Sequence, residues 1–198
     1  MAPRTRTRLA REERREQIVD AAADVFVGRD PAEVTFEEIA DAAGVSRALV
    51  YNYFGDRHGL LEAVYQRNVE RLQGEVFDAL VGRTADRDAL RAAVVVHLRF
   101  AQRDPAAYRY AAGQVRFPRL PELLLLRVER LAELFGASDE SIVVARGLLA
   151  AVEAMVLQWL DDPRWEADTA ADVITSFLWD GMRGVDRLGL AYRPPQLV

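Results

Sequence analysis

Between Gly44 and Phe54 the chain reads GVSRALVYNYF. Within it Ser46, Arg47, Tyr51, Asn52 and Tyr53 bring a hydroxyl, a guanidinium, two phenols and an amide, all suited to directed hydrogen bonds. No residue there stands beside a base that would make it a nucleophile, so the chemistry on offer is recognition rather than bond cleavage. Elsewhere the options are few. The chain has no cysteine, which removes disulfides, thiolate metal sites and cysteine nucleophiles together. Its two histidines, His58 and His97, are too far apart in sequence for a metal cluster of familiar spacing. The acidic run LDDPRWE, with Asp161 and Asp162, sits before a proline and reads as a helix end and turn. The expectation is therefore no catalytic residue, no metal and no cofactor.

The elements that hold this run are helical. Apolar residues recur at helical spacing almost everywhere and alternate as in strands almost nowhere. A first helix is expected from about Arg11 to Val27, with Ile18, Ala21, Ala22, Val25 and Phe26 forming one stripe. GRDPAEV breaks it. Thr35 and Glu38 then form a T-x-x-E capping box opening a short helix with Phe36, Ile39, Ala40 and Ala43 inward. Gly44 ends that helix, and Ser46 is placed to cap the next. In that next helix Val50 and Phe54 share one face, while Arg47, Ala48 and Tyr51 share roughly the opposite one and Asn52 borders it. A longer helix begins near Arg57. Longer segments follow, broken at Asp104-Pro105, at RFPRLP, at Gly136 and at DDPRWEAD. The pattern predicts an all-α fold: an N-terminal three-helix unit over residues 1–56 and a C-terminal six-helix bundle over 57–198.

Composition sets outer limits. Of 198 residues, 51% are hydrophobic and 29% charged, as in a globular chain. Net charge is −5 and every basic residue is arginine, so a nucleic-acid partner has to be argued from where charge sits. Met1 to Arg15 holds six arginines against Glu12 and Glu13, a local surplus of four. The start lacks the apolar core of a secretory signal. The longest apolar stretch, IVVARGLLAAVEAMVLQWL, carries Arg146 and Glu153, which argues against a membrane span. A cytoplasmic location without membrane attachment is expected.

Two helices joined by a tight glycine turn, EEIADAAGVSRALVY, have the layout of a helix-turn-helix. The stretch VTFEEIADAAGVSRALVYNYFGDRHGLLEAV, Val34 to Val64, resembles the signature of the tetracycline-repressor (TetR) family of transcriptional regulators. Thr35, Ile39, Ala40, Gly44, Val45, Ser46, Tyr51, Phe54, Leu60 and Leu61 all match it, while Arg57 stands where the family usually has lysine. The resemblance implies that the helix from Ser46 to Phe54 lies in the major groove of double-stranded operator DNA. Arg47 would then fork onto a guanine edge, and Ala48 or Leu49 would touch a thymine methyl. Tyr51, Asn52 and Tyr53 would hold phosphates or a base edge, with Thr35 and Arg57 gripping the backbone. Tyr51 and Tyr53 also suit core aromatics with surface hydroxyls, and the arginine tail suits either a DNA contact or an idle end.

The remainder matches the family only in being helical and of similar length. There the resemblance implies a small hydrophobic or aromatic effector and a homodimer. The helix from Ser138 to Leu160 is apolar nearly all round and so needs cover on every side. It and the last helix would form the dimer through Val152, Val156, Trp159, Val173 and Phe177. Candidate ligand contacts are His97, Phe100, Tyr108, Tyr110, Phe117, Glu153 and Trp159, each also readable as plain core. Arg146 and Glu153, seven apart, are expected on one face. The function so implied is a one-component regulator, most simply a repressor, released from its operator by the effector. A helical enzyme and a helical protein adaptor are the competing readings.

Overall fold

The computed structural model describes residues 11–26, 29, 33–84, 86–113 and 118–182. Among the described residues there are nine helices and no strand: α1 Arg11–Val25, α2 Phe36–Ala43, α3 Arg47–Phe54, α4 Arg57–Leu80, α5 Arg87–Arg103, α6 Pro105–Ala111, α7 Leu120–Glu133, α8 Asp139–Asp161 and α9 Ala167–Met182. They form two compact units, Met1–Tyr65 and Gln66–Val198.

The N-terminal unit is assembled by local signals. Ile18, Val19, Ala22 and Phe26 meet Phe36, Ile39, Ala40 and Ala43, and Val50 from α3 is fully buried. Gln17 Nε2 donates to the Ala43 carbonyl at 2.7 Å, tying α1 to the end of α2. Gly44 closes α2 in the left-handed region at φ +63, where a side chain is disfavoured. At the other end of α2 the capping box is complete: Glu38 N–H donates to Thr35 Oγ1, and Thr35 N–H donates to Glu38 Oε2 at 2.8 Å. The Thr35 amide and hydroxyl, then Arg29, hold the Glu38 carboxyl down at about 2 from its ordinary 4.5. A depressed carboxyl stabilises the fold above the unfolded-state value and loses that contribution as pH falls. Stability from this cap should drain away between pH 4.5 and about 2. In acid melts followed by circular dichroism, Glu38→Gln should flatten that limb. Parallel losses in wild type and variant would place the acid sensitivity elsewhere.

Gly59, in the first turn of α4, packs against the end of α3. A Cβ there would run into the Phe54 carbonyl oxygen, which is backbone and cannot swing aside. Gly59→Ala should destabilise the N-terminal unit by about 1–3 kcal/mol, as overpacking does. Thermal melts of the full chain check this, and an unchanged midpoint would show that α3 and α4 separate freely.

In the C-terminal unit α5 packs against α6, α8 and α9, and α7 against α8. Asp104 both ends α5 and caps α6, accepting from Ala107 N–H at 2.9 Å, with Pro105 starting the helix. Arg91 to Asp172 at 2.6 Å and Arg87 to Ser176 at 2.8 Å strap α5 to α9. The interior holds Val94, Leu98, Phe100, Ala101, Tyr108, Leu120, Ala132, Ala145, Val156 and Ile174. No described helix is long and apolar enough to cross a membrane.

Candidate functional sites

α3 owes its pose to one anchor and one cap. Val50 is fully buried, and Ser46 Oγ accepts from Leu49 N–H at 3.2 Å. That leaves Ser46, Arg47, Ala48, Tyr51 and Asn52 exposed, with Leu49 and Tyr53 half-buried. Tyr51 packs on Phe36 of α2 with ring centroids 4.6 Å apart. The Arg47 guanidinium lies over the Tyr51 ring at 5.5 Å. A cation held on an aromatic face is presented rather than freely tumbling. Glu37 is within electrostatic reach of Arg47, so the outward face is not purely basic. Arg11 lies 6.0 Å over Tyr53 and Arg15 lies 5.7 Å over Phe54, which places two arginines of α1 beside α3. The part of the arginine tail before Arg11 lies outside the described residues.

Thr35 is exposed but its hydroxyl is engaged with Glu38. Arg57 Nη2 donates to the Val34 carbonyl at 3.0 Å, so this arginine ties α4 to the approach of α2. His58 is exposed.

The candidate ligand residues converge only in part. His97, Phe100, Tyr108, Tyr110 and Glu153 are all buried in the C-terminal unit. His97 Nδ1 and Tyr108 Oη are hydrogen-bonded at 3.0 Å. Trp159 instead donates from Nε1 to the Trp165 carbonyl at 2.8 Å, bracing its own chain. Phe117 lies outside the described residues. An open groove of about 230 Å³ between α5 and the start of α9, lined by Val95, Leu98, Arg99, Gln102, Glu166, Ala167 and Asp168, shares no residue with this set.

The residue that organises the interior is Arg127 of α7, which the sequence reading passed over. Its Nη2 donates to Glu153 Oε1 at 2.7 Å and its Nη1 donates to the Ala111 carbonyl at 2.5 Å. The two side chains are only 5% and 10% exposed. Burial, aided by the Arg127 charge, lowers His97 to about 3, so its ring is neutral. Burial first, then the Glu153 charge, raises the Tyr108 phenol. Burial raises the Glu153 carboxyl, with Arg127 opposing. Arg146 does not share this environment: it is exposed while Glu153 is buried, although α7 packs on Ile142, Ala145 and Leu149 around it. Arg127 was visible as a lone charge on the stripe Leu120, Leu123, Arg127. Asn68 gave the same signal on α4, between Val64 and Leu72, and is 1% exposed.

Of the expected dimer residues, Val152, Val156 and Trp159 are buried within their own chain, whereas Val173 and Phe177 are 41% and 66% exposed. Asp161 pairs with Arg109, and Asp162 with Arg164 at 2.6 Å, so the acids of LDDPRWE are engaged by arginines.

Comparison with known proteins bears on both units. Residues 18–64 match the family described as bacterial regulatory proteins, tetR family. The transcriptional activator FasR of Mycolicibacterium smegmatis is 33% identical over 190 residues, spanning 90% of this chain and 87% of its own length. The transcriptional regulator BetI of Rhizobium meliloti is 30% identical over 157 residues, 73% of this chain and 77% of its own. A TetR-like transcriptional regulator from Rhodococcus sp. RHA1 superposes with a TM-score of 0.70 at 28% identity, over 89% of this chain and 100% of its own. These relatives are regulators rather than enzymes, and the match reaches well beyond the helix-turn-helix. The chain belongs to the TetR family of bacterial transcriptional regulators.

Proposed function

We propose that the chain binds a near-palindromic DNA operator as a homodimer through α3, and that a small-molecule effector in the C-terminal unit weakens that binding. The observation that carries the DNA reading is the outer face of α3. Arg47, Ala48, Tyr51 and Asn52 stand clear of the protein on a helix pinned by Val50 and Ser46. A helix of this size fits the major groove, where each base pair shows a distinct pattern of donors and acceptors. Ser46, Leu49, Tyr53, Thr35 and Arg57 complete the proposed interface as phosphate or methyl contacts.

The proposed dimer face is the exposed apolar surface of α8 and α9, carried by Val143, Val173 and Phe177. Where such side chains gather into one patch, a second copy is the natural cover. A two-fold pair would place its reading helices in successive major grooves, about 34–36 Å apart or modestly more. Whether such a complex represses or activates depends on where the operator lies relative to the promoter. Repression follows where the two overlap, and the relative FasR is described as an activator.

Footprinting of the full-length protein on DNA flanking its own gene tests this. Two protected half-sites are expected, with affinity falling by a factor of about 10³ or more between 50 and 200 mM salt for six or more phosphate contacts. A single unpaired footprint, or binding insensitive to salt, would overturn the reading.

A further inference from the structure

We propose that the effector is an anion, a carboxylate or comparable planar oxyanion on an apolar body, which takes the place of Glu153 on Arg127 and leaves a proton on Glu153. This rests on the reading that an effector binds inside the C-terminal unit, and it adds the chemistry of that effector.

The two members of the buried pair are unequal. A guanidinium keeps its charge in any protein environment, so Arg127 can never leave its partner uncompensated without stranding a cation in the interior. A carboxylate has an exit: it can take up a proton and stay buried as a neutral acid. Burial already pushes Glu153 in that direction. A cationic ligand would have to displace Arg127, which has no neutral form to fall back on. A neutral ligand leaves the pair as it stands. Only an anion exchanges like for like.

The surroundings suit such an exchange. The bond from Arg127 Nη1 to the Ala111 carbonyl holds the guanidinium in place while Nη2 changes partner. Asn68 is 1% exposed, and among the described residues neither its Nδ2 nor its Oδ1 has a hydrogen-bond partner. Buried amides are nearly always satisfied, so this one calls for a partner, an ordered water or a polar group of a ligand. It lies one helical turn before Arg71, whose guanidinium stands 5.4 Å over Phe100, and Phe100 packs against Tyr108. The charge balance is simple: ligand anion plus one solvent proton enters, the Arg127 cation keeps one anionic partner, and Glu153 becomes neutral. The groups facing Glu153 are Arg127 from α7 and Tyr108 from α6, with His97 of α5 hydrogen-bonded to Tyr108 and feeling the Arg127 charge. His97 is neutral down to about pH 3, so it does not take up the proton near neutrality.

Titration calorimetry of the full-length protein with para-butylbenzoate, para-butylbenzyl alcohol and para-butylbenzylamine tests this, run in two buffers of different ionisation enthalpy. The benzoate should bind at least about tenfold tighter than either analogue, with close to one proton taken up, and its affinity should fall by up to about tenfold per pH unit above neutrality. Glu153→Gln, which mimics the neutral acid, should tighten benzoate binding and abolish proton uptake. The proton count on wild type needs no variant and stands even if that one fails to fold. Equal or better binding of the alcohol or amine, binding without proton uptake, or no binding by any of the three would overturn the proposal. Footprinting separates the two ideas. Operator binding with none of these signatures sinks the anion alone, whereas absent operator binding leaves the calorimetric result standing.

Discussion

Arg127→Leu should lower the stability of the C-terminal unit by about 3–5 kcal/mol, because it removes one partner of a buried ion pair and leaves the other. The leucine fits the apolar stripe of α7, so the loss is electrostatic rather than steric. Glu153 is left buried without its cation, and the Ala111 carbonyl loses a donor. The pH dependence has a definite sign. Burial raises Glu153 above its ordinary 4.5, and removing Arg127 takes away the influence that opposes this. A raised folded-state value means the folded chain retains a proton that the unfolded chain releases, so stability drops as pH rises above 4.5. The deficit against wild type should therefore be smallest in acid and widen toward neutrality. Denaturant titrations at a series of pH values measure it. A second substitution, Glu153→Leu on the Arg127→Leu background, should recover most of the loss, since replacing both partners with apolar groups is often neutral. A single variant as stable as wild type at every pH would mean that the pair is solvated.

Arg47→Ala should weaken operator binding by about 1–3 kcal/mol per half-site, and by about twice that in a two-fold complex. The distribution of the loss matters more than its size. Arg47 rests on Tyr51, which rests on Phe36, so its guanidinium is presented from a supported position rather than from a loose stem. A forked donor in the major groove discriminates at one base pair. Binding to an operator series with each position changed in turn should show the wild-type preference collapsing at that pair and persisting elsewhere. Equal loss across all variants would make Arg47 a phosphate contact, and the salt slope would then drop by about one per half-site.

What could be read without coordinates was what is local. The Thr35–Glu38 box, the Gly44 stop, the Ser46 cap and the Asp104-Pro105 break each act within four residues, and each is present. Gly59 escaped notice because its reason lies in the approach of the Phe54 carbonyl, which no periodicity encodes. Arg127 and Asn68 were legible as anomalies on apolar stripes, but not in meaning: Glu153 lies 26 positions from Arg127. The helix α8 misled in a different way. A rod apolar all round must be covered, yet nothing in its own residues says by whom. Val152 and Val156 are covered by their own chain, and the large apolar side chain that α8 itself leaves open is Val143.

Seven residues make α6 too short to persist by its own backbone hydrogen bonds, since isolated helices under about 12–15 residues are marginal in water. Its carboxyl end leans on Arg127 through the Ala111 carbonyl. Whatever draws that guanidinium aside would let this turn fray. Deuterium uptake at the Ala112 and Gly113 amides, which close that end, then becomes a clock for how long the interior arginine keeps hold of it.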